Sequence, residues 1–195
     1  MNRIKYIAFV IVFLIGSAVQ AQLENDQDIS KVGTTAAQFL KISSGGRGLA
    51  MGSANVAITN NLSSSFWNPA GLAHLKGIQV YFENNGWLAG TDYNFGSFGF
   101  EWPRVGVLSL SITMLTTPDD LVRTIENPTG TGEKFNAQDM SIGISIGKSL
   151  TNQLSLGASI KNIRQRIWHS TGQTIATDIG VQYKTPIKDI ILGAS

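Results

Sequence analysis

Residues Met140 to Gly147 read MSIGISIG. Apolar side chains stand at every second position, Met140, Ile142, Ile144 and Ile146, and between them lie Ser141, Gly143, Ser145 and Gly147. A period of two places the two sets on opposite faces of an extended strand, whereas a helix would need a period of 3.6. The apolar set marks a buried or lipid-facing side. The second set is the unusual half, because it is small where the outer face of a soluble sheet would carry charge.

The same contrast recurs on both sides of this stretch. Ile78, Val80 and Phe82 alternate with Gln79, Tyr81 and Glu83; Leu108, Leu110, Ile112 and Met114 alternate with Val107, Ser109, Ser111 and Thr113. Leu154, Leu156, Ala158 and Ile160 oppose Ser155, Gly157, Ser159 and Lys161; Ile175, Ile179, Val181 and Tyr183 oppose Ala176, Asp178, Gly180 and Gln182. A further strand is expected from Ile190. In Tyr93 to Trp102 the apolar face shifts between Phe95 and Phe98, which predicts a bulge. The fold class read from these runs is all-β and antiparallel. A small polar face repeated in strand after strand suits a crowded or watery lumen, and so a transmembrane β-barrel.

The connections favour the same reading. The segments 101–104, 149–152 and 185–189 are short, and 84–92, 116–138 and 168–174 are longer, as expected for periplasmic turns and external loops. This makes the first strand run outward. Trp87, Trp102, Trp168, Tyr93 and Tyr183 fall near strand ends, where interfacial aromatic girdles occur. Alternation by itself also fits a soluble exported β-domain such as an adhesin, but that alternative requires charged outward faces.

Only 14% of the 195 residues are charged, well below the roughly 25% of an average soluble domain. There is no Cys, which excludes disulfides and thiolate metal sites. Arg3 and Lys5, then the apolar run Ile7 to Ile15, then Val19-Gln20-Ala21 have the form of an export signal cleaved after residue 21. Its removal leaves thirteen cations against thirteen anions, so the basic isoelectric point gives no argument for nucleic acid. Beyond residue 21 no continuous apolar stretch is long enough for a membrane helix. Residues 22–32 read as a polar leader, 33–76 as a plug and 77–195 as strands.

The plug rests on Ser43 to Ala73, SSGGRGLAMGSANVAITNNLSSSFWNPAGLA, whose small residues can pack in a confined space. Short helices are expected over Thr34–Ile42, with Ala37 and Leu40 inward, and over Leu49–Ala57. Asn68-Pro69 marks a turn, since Pro69 fixes its own φ and biases Asn68 away from helix.

Ser43 to Leu75, YFENNGWLAGTDYNFGSFGF, TGTGEKFNAQDMSIGISIGKSLTNQLSLGASIK and DIGVQYKTP together resemble the PorV/PorQ family, within the FadL-like outer-membrane barrels. The resemblance spans about residues 33–194. It implies a barrel of about fourteen strands around an N-terminal hatch, in the outer membrane of a Gram-negative-type bacterium. In FadL-like transporters the hatch carries an Asn-Pro-Ala motif, matched by Asn68, Pro69 and Ala70, and hydrophobic compounds are the cargo. PorV-type relatives act in type IX secretion, with secreted proteins and secretion-machinery components as partners. About six strands and the start of a seventh are legible, and no closing aromatic follows Ile190, so the chain is read as an incomplete barrel.

No convergent acid, base or nucleophile set is visible, and neither enzyme activity nor a cofactor is expected. His74 and His169 are far apart, which makes a shared metal site improbable, and His74 is expected as a hatch-to-barrel contact. Asp119-Asp120 reads as a solvated turn. Gly45-Gly46-Arg47-Gly48 lacks the Lys-Ser/Thr ending of a phosphate loop. Buried charges need partners, so Arg47 is expected either to pair with a lumen carboxylate, Glu83 or Asp178, or to stand in solvent as a loop arginine.

Overall fold

The computed structural model describes residues 36–58, 60–187 and 190–195. The export signal, the leader and the first residues of the plug fall outside them.

Each long alternating run forms a strand. These are β1 (Ile78–Gly86), β2 (Asp92–Trp102), β3 (Gly106–Thr116), β6 (Ala137–Ser149), β7 (Leu154–Ile167), β8 (Ser170–Lys184) and β9 (Ile191–Ala194). They make one seven-stranded sheet in the order β1-β2-β3-β6-β7-β8-β9, every pair antiparallel. The sheet is a meander and is open, with β1 and β9 at its edges. The 117–136 connection folds back on itself as a two-stranded ribbon, β4 (Asp120–Leu121) with β5 (Lys134–Phe135).

Register converts the sequence alternation into two contrasting faces. One ladder row runs Val80, Phe98, Leu110, Ile144, Ile160; the next toward the short turns runs Ile78, Phe100, Leu108, Ile146, Ala158, Ile179. This apolar face is bare: Val80 is 75% exposed and Ile179 77%. The opposite face carries the row Gly99, Ser109, Ser145, Ser159, Asp178. Its serines are buried, because residues 37–76 lie across it.

That N-terminal segment contains a 3-10 turn at Gln38–Lys41, helix α1 (Gly46–Ala50), helix α2 (Ser64–Trp67) and a second 3-10 helix at Pro69–His74. Its core contact is Leu62, Leu72 and Leu75 packed with Val107 of β3. The first turn buries Phe39, rather than the expected Ala37 and Leu40. The second helix covers Gly46–Ala50, before the expected Leu49–Ala57. Gly48 permits this placement, because a Cβ there would meet the Trp67 ring at 2.8 Å.

Two expectations about the strands are corrected. Residues 92–100 pair without a break with β1 and 92–102 with β3, so β2 has no bulge. Its apolar residues simply divide between the faces: Tyr93 and Phe95 point inward and are buried, while Phe98, Phe100 and Trp102 point outward. Phe95 meets Phe66 of α2 edge-on, with centroids 6.0 Å apart, and tilts against Tyr81 at 5.9 Å. Tyr93 therefore belongs to the packed interior and not to an aromatic girdle. The long connection expected at 168–174 is also absent: β7 and β8 zip up to a two-residue hairpin, Trp168-His169, in which Trp168 takes a φ of 52°. Glu133 accepts from the Trp168 indole at 3.2 Å and meets His169 at 3.3 Å. The long connection thus braces a turn that contains no Gly or Asn.

Gly147, Gly157 and Gly180 face one another across β6, β7 and β8. A Cβ on any of them would come closer than 3.0 Å to the segment 68–73. Gly157→Ala should cost about 1–3 kcal/mol through overpacking and should expose residues 37–76 to protease. Gly96→Ala, on the other face where the nearest atom is 3.4 Å away, should change stability by no more than about 0.5 kcal/mol. Denaturant unfolding with limited proteolysis measures both.

Candidate functional site

The site is the interface between the N-terminal segment and the inner face of the sheet. Its centre is Asn68-Pro69-Ala70. Asn68 is extended (φ −158°, ψ 107°) and caps the helix that follows: its Oδ1 accepts from the Ala70 amide at 3.0 Å. Pro69 takes the first helical position, where an N–H would have no partner. The Asn68 Nδ2 donates to the carbonyls of Val56 and Val181, both at 3.0 Å. One fully buried amide thus joins its own helix, the preceding loop and strand β8. Only an amide can do this, because the task needs one acceptor and two donors in a single group.

The glycine row provides the room. Pro69 and Ala70 lie over Gly157, Asn68 and Pro69 over Gly180, and Pro69, Leu72 and Ala73 over Gly147. Farther along, Gly193 of β9 leaves space for Val56 and Ala57. Gln182 fixes the flank of this contact. Its Nε2 donates to the Ala57 carbonyl at 2.6 Å, and its Oε1 lies 2.8 Å from His74 Nε2. His74 is therefore a contact between the segment and the sheet.

A second attachment lies at β1. Glu83 Oε2 accepts from the Ser44 hydroxyl at 2.8 Å, the Gly45 amide at 2.6 Å and the Tyr81 hydroxyl at 3.3 Å. Its other oxygen accepts from Asn85 at 2.6 Å. Hydrogen bonds to a carboxylate are about twice as strong as neutral ones. Gly45 has a φ of 91°, which turns its N–H toward the carboxylate in a conformation that favours glycine.

The expected charge pairing is corrected here. Arg47 is exposed and forms no ion pair with Glu83 or Asp178 among the described residues. The reason is that both carboxylates are already satisfied by other donors. Glu83 does hold the segment, but through Ser44 and Gly45. Asp178 binds within the sheet, to Lys161 Nζ at 2.7 Å and Ser159 Oγ at 2.7 Å, and forms no hydrogen bond or ion pair with the segment among the described residues. Asp119 and Asp120 separate: Asp119 accepts from Asn136 at 2.8 Å and Asp120 lies 3.8 Å from Arg123. No group of three or more metal-binding side chains occurs among the described residues.

Sequence reasoning missed Gln182 and the aligned glycines as site residues. The signal was present in the glycines, which occupy the small face of three successive strands at positions that correct pairing brings into one row. The chain matches no protein-family model, and no curated protein is significantly similar to it.

Asn68→Asp should destabilise more than Asn68→Ala, since a carboxylate places negative charge against two carbonyl oxygens. The alanine variant should lose about 2–4 kcal/mol, from lost hydrogen bonds and carbonyls left unsatisfied. Thermal unfolding of the pair gives the order. In the same assay Arg47→Ala should be neutral within about 0.5 kcal/mol, and Glu83→Gln should not.

Proposed function

We propose that this chain forms the wall and inner hatch of an outer-membrane β-barrel of the PorV/PorQ kind. Its role is non-enzymatic, in type IX secretion or the handling of surface proteins. The observation that carries the reading is the inversion of the two faces. Bulky aliphatic and aromatic side chains stand bare on one side, while serines and glycines are buried on the other. In water a contiguous apolar surface of this extent would drive association; in lipid it is the expected exterior.

The dimensions agree. On β6 the outward apolar residues run from Met140 to Ile146, about 20 Å at strand rise, and Gln138 and Lys148 follow on the same face. The apolar band of such barrels is about 25 Å tall. Unpaired strand edges are untenable in the hydrocarbon region, so this reading requires partners for the edges of β1 and β9. Residues 37–76, fixed to the inner face by Asn68 and Glu83, serve as the hatch. Outer-membrane lipid is then the outward partner, and secreted proteins or secretion-machinery components meet the end that carries the 117–136 connection.

Transport of hydrophobic compounds is the competing role for the same barrel. The apolar cleft of about 400 Å³ around Gly96, lined by Val80, Phe82, Phe98, Leu110 and Ile112, opens on the outward face. The cleft beside His74 is lined by Ser149, Thr151, Gln153 and Gln182 together with Ile191. A soluble adhesin would have to expose Ile142, Ile144 and Ile160 to water.

Membrane fractionation of the native protein with an alkaline wash tests the location, and recovery in the soluble periplasm would refute it. Ile144→Lys should impair insertion into phosphatidylcholine vesicles by about 2–4 kcal/mol, with Ser145→Ala as the inward control. For a soluble domain the same lysine would instead improve solubility. Loss of surface-displayed proteins on gene deletion, with fatty-acid uptake intact, separates the secretion role from transport.

A further inference from the structure

At the end of the sheet that carries the long connection, the outward face changes character. On β7 the outward apolar residues stop at Ile160, and Asn162, Arg164 and Arg166 follow on the same face. Pairing sets Arg164 between Met140 and Gln173, and Arg166 between Gln138 and Thr171. Among the described residues neither arginine forms an ion pair. Arg166 donates to Asn136 Oδ1 at 3.1 Å, while its buried Nε has no acceptor. The carboxylates nearby are committed or turned away. Asp139 has the opposite parity on β6, Asp119 accepts from Asn136, and Glu133 meets Trp168 and His169. Asp92 shares the row of Arg166 but lies three strands away, about 14 Å. An open cleft of about 100 Å³ is lined by Gln138, Met140, Arg164 and Arg166.

We propose that Arg164 and Arg166 bind the phosphate of an anionic membrane lipid. The inference rests on the membrane-spanning reading and adds a ligand site to it. Arg164 lies four residues beyond Ile160, about 13 Å along the strand. At a tilt near 45° this is about 10 Å of height, which sets the guanidinium in the headgroup layer. Two planar guanidiniums two positions apart match the oxygens of a phosphate, which arginine engages in bidentate fashion. Met140 explains why the ligand is a lipid. It forms the apolar side of the cleft and continues into Ile142 and Ile144, so a headgroup held by the arginines has a path for its acyl chain along β6. The 117–136 connection at this end makes the outer leaflet, with its phosphorylated glycolipids, the source.

The test uses the full chain with vesicles of phosphatidylcholine alone and of phosphatidylcholine containing bisphosphorylated lipid A. The wild type should bind both and bind the second more tightly. Joint replacement Arg164→Gln and Arg166→Gln keeps the side-chain stems. It should lower affinity for the lipid A vesicles by about thirtyfold and leave binding to phosphatidylcholine unchanged. Joint Arg164→Lys and Arg166→Lys should keep part of the gain, since charge survives without the planar fork. A wild type that ignores phosphatidylcholine refutes the membrane reading itself. A wild type that binds phosphatidylcholine but gains nothing from lipid A overturns the site, as does a glutamine variant that keeps the gain. Complete competition by inorganic phosphate would also overturn it, in favour of a free anion.

Discussion

Everything on the inner face depends on the close approach of one polar turn to a backbone stripped of side chains. Asn68-Pro69-Ala70 reaches the sheet only because Gly147, Gly157 and Gly180 present no Cβ there. Once it is in place, the Asn68 amide loses all access to water and must satisfy its donors on Val56 and Val181. Shape and hydrogen bonding therefore fix a single registration between segment and sheet. Strand pairing is constrained by the same contact, because a slip of one residue between β6 and β7 would put a side chain where Gly157 now lies.

The two attachments differ in kind. The turn on the glycine row is held by fit, with little exposed to solvent. The Glu83 contact is held by donors converging on one carboxylate. Gln182 and His74 reinforce the first; Tyr81, the Trp67 indole donating to the Ser44 carbonyl at 2.8 Å and the packing of Trp67 on Gly48 reinforce the second. The segment is thus anchored at β6–β8 by geometry and at β1 by electrostatics.

The sheet was legible because period-two alternation is a local property, and Met140 to Gly147 carries it without interruption. Strand order followed, since each strand pairs with the next long one. The turn at Trp168-His169 was not legible, because a tight hairpin without Gly or Asn depends on Glu133, thirty-five residues earlier in the chain. The face change within β2 suggested a bulge for a similar reason. Phe95 is inward, where Phe66 is there to meet it, and no window of ten residues contains that fact. In the site, Asn68 and Glu83 were visible as residues but their partners were not. Arg47 was assigned a carboxylate on charge alone, when Ser44 and the Gly45 amide had claimed Glu83 and Lys161 and Ser159 had claimed Asp178.

The meander and the segment beneath it set opposite demands on the order of folding. Every strand pairing is between near neighbours, so the sheet can grow one hairpin at a time with small loop-closure entropy. The segment is different: Asn68 reaches Val181 across 113 residues, and Gln182 reaches Ala57 across 125. Its seat does not exist until β8 has been laid against β7. The segment therefore precedes in the chain the strands that form its seat, and Leu62, Leu72 and Leu75 reach their packing against Val107 only once that seat exists. Such an interval invites a holding partner, and it makes the N-terminal segment the point at which assembly of this protein is most open to interception.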